Sequence, residues 1–226
     1  VALMLVECLV ARLRHVSEYR LADAVTSVGL GALSTYLGVF TRLWSFGIYV
    51  LVYREARLAT LDAGAWWVWL AALVLYDLLY YWNHRLGHEV NILWAAHVVH
   101  HQSDRFNLST ALRQSSTGNL LGWVFYLPMA LAGVPPVVFV AVGLTNLLYQ
   151  FWIHTELVET LGWFDRVFSS PSNHRVHHGI NDRYRDRNYG GIFILWDRLF
   201  GTFEPEVEKP VFGVRGGLTT FDPIGA

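Results

Sequence analysis

Nine of the ten histidines in this chain fall into a pattern that suits metal binding. Two clusters read HxxHH, one reads HxxxH, and a single histidine stands between the second and third clusters. Residues three and four apart share a helix face, so each cluster can direct two or three imidazoles at one point. A metal ion relieves their crowding because it binds the neutral ring. We therefore predict these ligands: His84, His88, His97, His100, His101, His154, His174, His177 and His178.

The number and chemistry of these side chains limit the choice of metal. Nine histidines exceed one site and suit two metal ions with four or five ligands each. All-nitrogen ligation favours iron, zinc or copper over magnesium or calcium. A haem would use single histidines on facing helices, which argues against that alternative. The tenth histidine, His15, lies alone in a basic segment and is predicted to be a surface residue, while the single Cys8 excludes a thiolate cluster.

The composition around the histidines is typical of a membrane protein. Of the 226 residues, 54% are hydrophobic and 15% are charged, against a usual charged share of about 25%. The mean hydropathy is +0.32, and a net charge of −1 gives no reason to expect a nucleic-acid partner. The length suits one domain over residues 1–226, and we expect its N-terminus to be truncated within a membrane helix.

Apolar runs indicate where the chain crosses the membrane. Residues 24–53 and 65–82 each suffice for one crossing. A third run, residues 114–155, is too long for one crossing and is predicted to be a helical hairpin, because AGVPP at 132–136 breaks it. Together these runs predict an all-α integral membrane fold with roughly four transmembrane helices.

The polar segments between these runs have a predicted side. By the positive-inside rule, the arginines place residues 83–113 and 154–226 on the cytoplasmic side. The nine clustered histidines would then form a cytosolic helical cap on the transmembrane bundle. That orientation predicts a multi-pass protein whose histidines face the cytoplasm.

Further polar residues are candidates for supporting roles. Asp77 is an acid within an apolar helix, which indicates either a functional site or a hydrogen bond inside the bundle. Asn107 and Asn188 could hold metal ligands in place or form turns. Arg113 and Gln114 follow the second cluster and could contact a lipid headgroup or a cofactor.

The motifs resemble the three-box signature of the fatty acid hydroxylase/sterol desaturase superfamily. The matching segments are HRLGH (84–88), HVVHH (97–101), His154 after LLYQFWI, and HRVHH (174–178). The likeness extends over roughly residues 20–205. Within that superfamily, RFNLSTALRQS is similar to the alkylglycerol monooxygenase branch.

This resemblance implies a membrane oxidoreductase that uses two iron ions and O2. Its target would be a lipid C–H bond, which is hydroxylated or desaturated in a sterol, a fatty acyl chain or an ether lipid. The histidines would act only as ligands, and zinc can replace iron in purified protein. The sequence shows no dinucleotide fingerprint and no cysteine cluster. Electrons would therefore come from a separate ferredoxin- or cytochrome-type protein, or from a diffusible reductant such as a pterin.

Two alternatives stay open at this point. A non-enzymatic membrane protein could bind or transport metal, although a transporter needs polar ligands at the bilayer centre and these histidines lie outside the apolar runs. A zinc hydrolase would need a general base near an incomplete ligand set, for which Glu89 and Glu156 are the candidates.

Overall fold

The computed structural model describes residues 2–15 and 19–217, and these ranges contain helices and loops without a β-strand. The predicted all-α class is confirmed for this part of the chain. We number its α-helices in chain order: α1 Ala2–Arg14, α2 Leu21–Ala56, α3 Trp66–Glu89, α4 Asn91–His101, α5 Leu127–Leu131, α6 Pro136–Trp152, α7 Pro171–His178 and α8 Leu195–Phe200.

The two longest helices contain the first two predicted crossings. Within the described ranges, α2 is the one helix that is both long and apolar enough to cross a membrane. Helix α3 has 24 residues, but its tryptophans, tyrosines and Asp77 lower its hydropathy. It also continues beyond residue 82 as far as Glu89, which places His84 and His88 in its last two turns.

The third apolar run differs from the predicted hairpin in its first half. There, α5 has only five residues and is preceded by short 3₁₀ turns, at Gly118–Leu120 and Gly122–Tyr126. The hydroxyl of Ser115 accepts a hydrogen bond from the backbone N–H of Thr117, which satisfies this backbone donor without a helix. The second half is the predicted helix and forms α6.

The turn between α5 and α6 falls where AGVPP predicts a break. Gly133 has a φ of +86°, and a Cβ at this position would collide with the carbonyl oxygen of Ala59. The hydroxyl of Tyr49 donates to the carbonyl of Val134 over 2.9 Å. These contacts hold the turn against the C-terminal end of α2. The core beside it consists of Tyr49, Ala72, Met129, Ala130, Val134, Val138 and Val142.

Asp77 joins the C-terminal part of the chain to this bundle. Its carboxylate accepts hydrogen bonds from the backbone N–H groups of Ile192 (2.6 Å) and Phe193 (2.9 Å). The side chains of Trp196 and Asn146 also donate to it, over 2.9 and 2.8 Å. Four donors satisfy a buried carboxylate. Of the two roles that the sequence left open for Asp77, these contacts match a hydrogen bond inside the bundle. They fix the segment around residue 192 on α3.

Candidate metal centre

The nine predicted histidines converge into two groups of potential metal ligands. In each group the nitrogens available to a metal all lie within 4.8 Å of one another. The five-histidine group contains His84, His88, His97, His101 and His177. The four-histidine group contains His100, His154, His174 and His178. The structure thus brings all nine residues together, and it divides them as two adjacent sites would require.

The HxxHH spacing explains this division. In α4, His97 and His101 are four apart and enter the five-histidine group, while His100 enters the other group. In α7 the assignment is reversed, because the i,i+4 pair joins the four-histidine group and His177 joins the five-histidine group. Residues four apart lie nearly above one another on a helix, whereas the third position turns about 60° away. Each HxxHH helix therefore serves both groups.

Local sequence signals position these helices. The hydroxyl of Ser170 caps α7 by accepting from the N–H of Asn173, Pro171 opens the helix, and Gly179 follows its end. Each of these residue types is favoured at the helix end where it stands. His154 lies just beyond the end of α6 and completes the four-histidine group.

Backbone carbonyls orient four of the nine imidazoles. The Nδ1 atom of His84 lies 2.9 Å from the carbonyl of Tyr189, and that of His177 lies 2.9 Å from the carbonyl of Arg187. In the other group, Nδ1 of His100 contacts the carbonyl of Arg113 (3.0 Å) and Nδ1 of His154 contacts that of Gln150 (2.7 Å). A carbonyl can only accept, so each Nδ1 carries the hydrogen and each Nε2 keeps its lone pair for a metal.

The arrangement of the Nε2 atoms fits metal ions better than hydrogen bonds. His100 and His154 both donate through Nδ1, so each of their Nε2 atoms carries a lone pair. These two Nε2 atoms lie 3.3 Å apart and cannot form a hydrogen bond with each other. The Nε2 atoms of His84, His88, His177 and His178 are buried and have no hydrogen-bond partner among the described residues. Orphaned buried acceptors are costly, and a cation between them would satisfy the whole set. The residues present therefore fit a pair of nitrogen-preferring metals.

The electrostatics of the site keep the imidazoles neutral. Burial lowers the pKa of His100 to about 4, and it holds the pKa of His177 and His178 well below the usual range. Neighbouring histidines add repulsion against any protonated ring. A neutral imidazole is the form that binds metal. These side chains are thus available as ligands at neutral pH without losing protons first.

The two predicted asparagines have different contacts. Asn107 accepts hydrogen bonds from the backbone and hydroxyl of Ser109, which is the pattern of a turn. Asn188 lies between the two carbonyls that orient His177 and His84, and its φ of +58° is in the left-handed region. Its side-chain nitrogen donates to the carbonyls of Asn173 (3.0 Å) and Glu204 (2.8 Å), and its oxygen accepts from the N–H of Glu204 (2.8 Å).

The structure separates the predicted pair Arg113 and Gln114. Arg113 is fully buried, and its guanidinium contacts the carboxylate of Asp23 (3.4 Å) and the carbonyl of Val99 (2.9 Å). Only its backbone carbonyl reaches a histidine. Gln114 instead is exposed and lines the cavities described next.

Two adjoining cavities lead from the bundle to the histidines. The histidine cavity has a volume of about 480 Å³, and its lining includes Ser34, Arg42, Tyr76, His97, His100 and Gln114. The bundle cavity, of about 720 Å³, has a lining that includes Arg42, Tyr49, Tyr76, Tyr80, Asn83 and Gln114. The shared residues make the two spaces neighbours. An elongated molecule could extend from the aromatic interior of the bundle to the two groups.

The remaining candidates lie outside both groups. Glu89 forms an ion pair with Arg85 over 2.8 Å. Glu156 lines a shallow surface pocket beside Arg175, and burial raises its pKa. Among the described residues neither acid joins a histidine group. His15 follows α1, is exposed as predicted, and is also outside the groups.

Sequence reasoning missed the backbone carbonyls and the cavity residues Tyr80 and Asn83. Carbonyls have no signature in a sequence, because every residue has one. Asn146 did have a signal, since a polar side chain in an apolar run usually finds a buried partner. That partner is Asp77.

Comparison with known proteins agrees with this geometry. The profile of the fatty acid hydroxylase family matches residues 69–202, an interval that includes all nine clustered histidines. The chain belongs to the fatty acid hydroxylase family. The predicted superfamily is therefore confirmed. Membership, together with the candidate span in α2, indicates a membrane protein.

Curated relatives within this family are similar over most of the chain. Alkylglycerol monooxygenase from Homo sapiens is 45% identical over 225 residues, which are 99% of this chain and 50% of that protein. The enzyme of that name from Danio rerio is 45% identical over 203 residues, 90% of this chain and 45% of that protein. Ornithine lipid hydroxylase OlsE from Rhizobium tropici is 30% identical over 154 residues, 64% of this chain and 44% of that protein.

These comparisons support the alkylglycerol monooxygenase branch that RFNLSTALRQS predicts. All three relatives are named as monooxygenases or hydroxylases, so the predicted non-enzymatic alternative is not supported. The chain spans about half the length of the curated relatives it matches. No solved structure matches it.

Proposed function

We propose that this chain carries the metal centre of an O2-dependent oxidoreductase that oxidises a lipid C–H bond. The observation that carries the proposal is the division of nine histidines into groups of five and four. Two such sites side by side suit a pair of metal ions acting on one O2 molecule. Membership of the fatty acid hydroxylase family supports a lipid as the substrate.

Iron is the metal we assign to both groups. The five-histidine group would hold one ion and the four-histidine group the other, and bound iron would supply the O2 activation that C–H oxidation needs. Zinc also accepts nitrogen ligands and could replace iron during purification. All nine histidines are proposed as ligands, with Asp77, Asn107 and Asn188 holding the surrounding segments in place.

The protein's own contribution is to fix the ligands and to position the substrate. Backbone carbonyls hold four rings, and burial keeps the site dry. A reacting C–H bond must come within about 3–3.5 Å of the oxidant. The histidine cavity offers that approach, because His97 and His100 form part of its wall. We propose that a lipid chain occupies the two cavities and that Gln114 contacts it there.

The substrate class we propose is an ether lipid of the alkylglycerol type. The relatives at 45% identity carry that substrate in their name. Hydroxylation places one oxygen atom of O2 in the C–H bond and releases the other as water, and it consumes two electrons and two protons. We assign the electrons to an external donor, either a diffusible pterin or a ferredoxin- or cytochrome-type protein.

We further propose a multi-pass topology of about four membrane helices with the histidines on the cytoplasmic side. The candidate span in α2 and the positive-inside distribution support this orientation. Cysteine substitutions at Asn91 and Asn181 should react with an impermeant thiol reagent from the same side of sealed vesicles. Labelling from opposite sides would refute the topology, because both positions flank the same metal centre.

The test of function combines metal analysis with isotope incorporation. Anaerobically purified protein should contain about two iron equivalents. With an alkylglycerol, a reductant and ¹⁸O2, one labelled oxygen should enter the oxidised product. His100→Ala and His177→Ala, one from each group, should abolish incorporation, whereas His15→Ala should retain it. An active preparation without metal would refute the proposal.

A further inference from the structure

Arg42 is a charged side chain deep within an apolar helix. It is the only Asp, Glu, Lys or Arg between Asp23 and Arg54 of α2. No acid within residues 2–15 and 19–217 forms an ion pair with it. An arginine at membrane depth is costly unless it finds an anion or a water-filled cavity. Its presence therefore calls for a partner outside the described protein residues.

Arg42 lies on the same face of α2 as several buried residues. Ser34 and Gly38 are both buried, and Arg42 continues their spacing of four residues along the same face. Tyr49, two turns further on, is buried in the core. Arg42 itself is exposed, unlike these neighbours, and it lines both cavities. Its side chain is therefore accessible from the cavities and is not enclosed by protein.

The cavities give Arg42 a place to meet a ligand. It lines both the histidine cavity and the bundle cavity, and so lies in the same space as His97 and His100. The lining of the histidine cavity includes the polar residues Ser34, Gln114 and Ser115. It also includes apolar residues, with Phe139 among them. The cavity thus has an amphipathic lining and one positive charge.

The surroundings indicate an amphiphile as the occupant. Val140, Leu144 and Leu147 of α6 also line the histidine cavity, and they are 41%, 54% and 61% exposed. These side chains lie where a membrane helix would meet lipid tails. A small inorganic anion would match the charge but would leave the apolar wall unpaired.

We propose that Arg42 binds the oxyanion of a lipid headgroup, a phosphate or a carboxylate, inside the histidine cavity. Arginine pairs with both groups through two parallel hydrogen bonds. Binding there would place a neighbouring part of the same lipid against His97 and His100. The proposal rests on the proposed function in taking a lipid as the ligand, and within the ether lipids it favours those whose glycerol carries an anionic headgroup over a neutral alkylglycerol. It adds that the site prefers an anionic lipid over a neutral one of equal chain length.

Equilibrium binding of matched single-chain probes tests this preference without turnover. Oleyl phosphate, oleate and oleyl alcohol share a chain and differ in headgroup charge, and binding to the metal-loaded protein is measured without O2 or reductant. Wild-type protein should bind the two anionic probes about 10- to 100-fold more tightly than the alcohol, the range expected for a charge-assisted hydrogen bond. Arg42→Gln should remove this difference, while the matched control Arg54→Gln on the same helix should retain it.

Arg42→Lys keeps the charge but loses the paired donors, so it should retain a reduced preference. Iron content and thermal unfolding identify any variant that fails to fold, and in that case the wild-type comparison alone decides. Equal binding of all three probes, or an unchanged preference in Arg42→Gln, would overturn the inference. Displacement of oleyl phosphate by inorganic phosphate at equal concentration would also overturn it, since the chain would then contribute nothing. Loss of turnover with intact discrimination would count against the proposed oxidation alone.

Discussion

Replacing Asn188 tests whether backbone carbonyls hold the five-histidine group in place. Asn188 lies between Arg187 and Tyr189, whose carbonyls accept from His177 and His84. Both of these histidines belong to the same group. A change confined to Asn188 should therefore disturb one metal site more than the other.

The structure sets the size of the effect. Asn188→Ala removes three hydrogen bonds of 2.8 to 3.0 Å, worth about 1 kcal/mol each. Alanine at a φ of +58° adds about 1 kcal/mol of strain. The expected loss of folding free energy is about 3–4 kcal/mol. Loss of the hydrogen bonds that orient metal ligands typically lowers metal affinity by roughly 10- to 100-fold. We expect this loss of affinity in the five-histidine group.

The assay is metal stoichiometry at limiting iron, followed by Mössbauer spectra of ⁵⁷Fe-loaded protein. Iron should fall from about two equivalents toward about one, with the remaining signal that of the four-histidine group. Asp186→Ala is the matched control, because Asp186 has nearly the same φ, +59°, and the ion pair of its carboxylate with Arg185 is exposed. Asp186→Ala should lower the folding free energy only by the backbone strain of alanine at this φ, and it should keep both metals. Full iron in Asn188→Ala, or equal losses in both variants, would refute the reasoning.

Further predictions concern four other positions. His154→Ala removes one ligand from the four-histidine group, so elemental analysis should show about one iron equivalent; two retained equivalents would exclude His154 as a ligand. His15→Ala lies outside both groups and should leave iron content and turnover unchanged. Asp77→Ala leaves four donors without an acceptor and should lower thermal stability by more than about 3 kcal/mol, with Asp77→Asn intermediate; an unchanged melting temperature would contradict this. Gly133→Ala should also melt at lower temperature, since its Cβ would collide with Ala59.

The sequence predicts the convergence of the nine histidines because its signal is periodic. Residues three and four apart are neighbours on a helix surface. The convergence of His97, His100 and His101 could therefore be expected from their spacing alone. The caps of α7 were equally readable, because Ser170, Pro171 and Gly179 have strong positional preferences. The all-α class could also be predicted, because the apolar runs are longer than typical strands.

The remaining features depend on contacts between distant parts of the chain. The partner of Asp77 is the backbone at residues 192 and 193, more than a hundred positions away, and no spacing rule predicts it. The buried state of Arg113 likewise depends on Asp23. The irregular first half of the hairpin was missed because hydropathy is insensitive to the hydrogen bonds of Ser115.

The division of each HxxHH cluster between two groups has a consequence for the centre as a whole. Helices α4 and α7 each contribute to both groups, whereas α3 contributes only to the five-histidine group and His154 only to the four-histidine group. Moving α4 or α7 would therefore displace residues of both groups together, and the spacing between the two groups depends on the geometry of one helical turn. A chemistry that needs two metals at a fixed separation is served by this construction, since helices are stiff over eight to eleven residues. The histidines of α3 and His154, by contrast, each belong to one group. A change in their position can alter that group without altering the other.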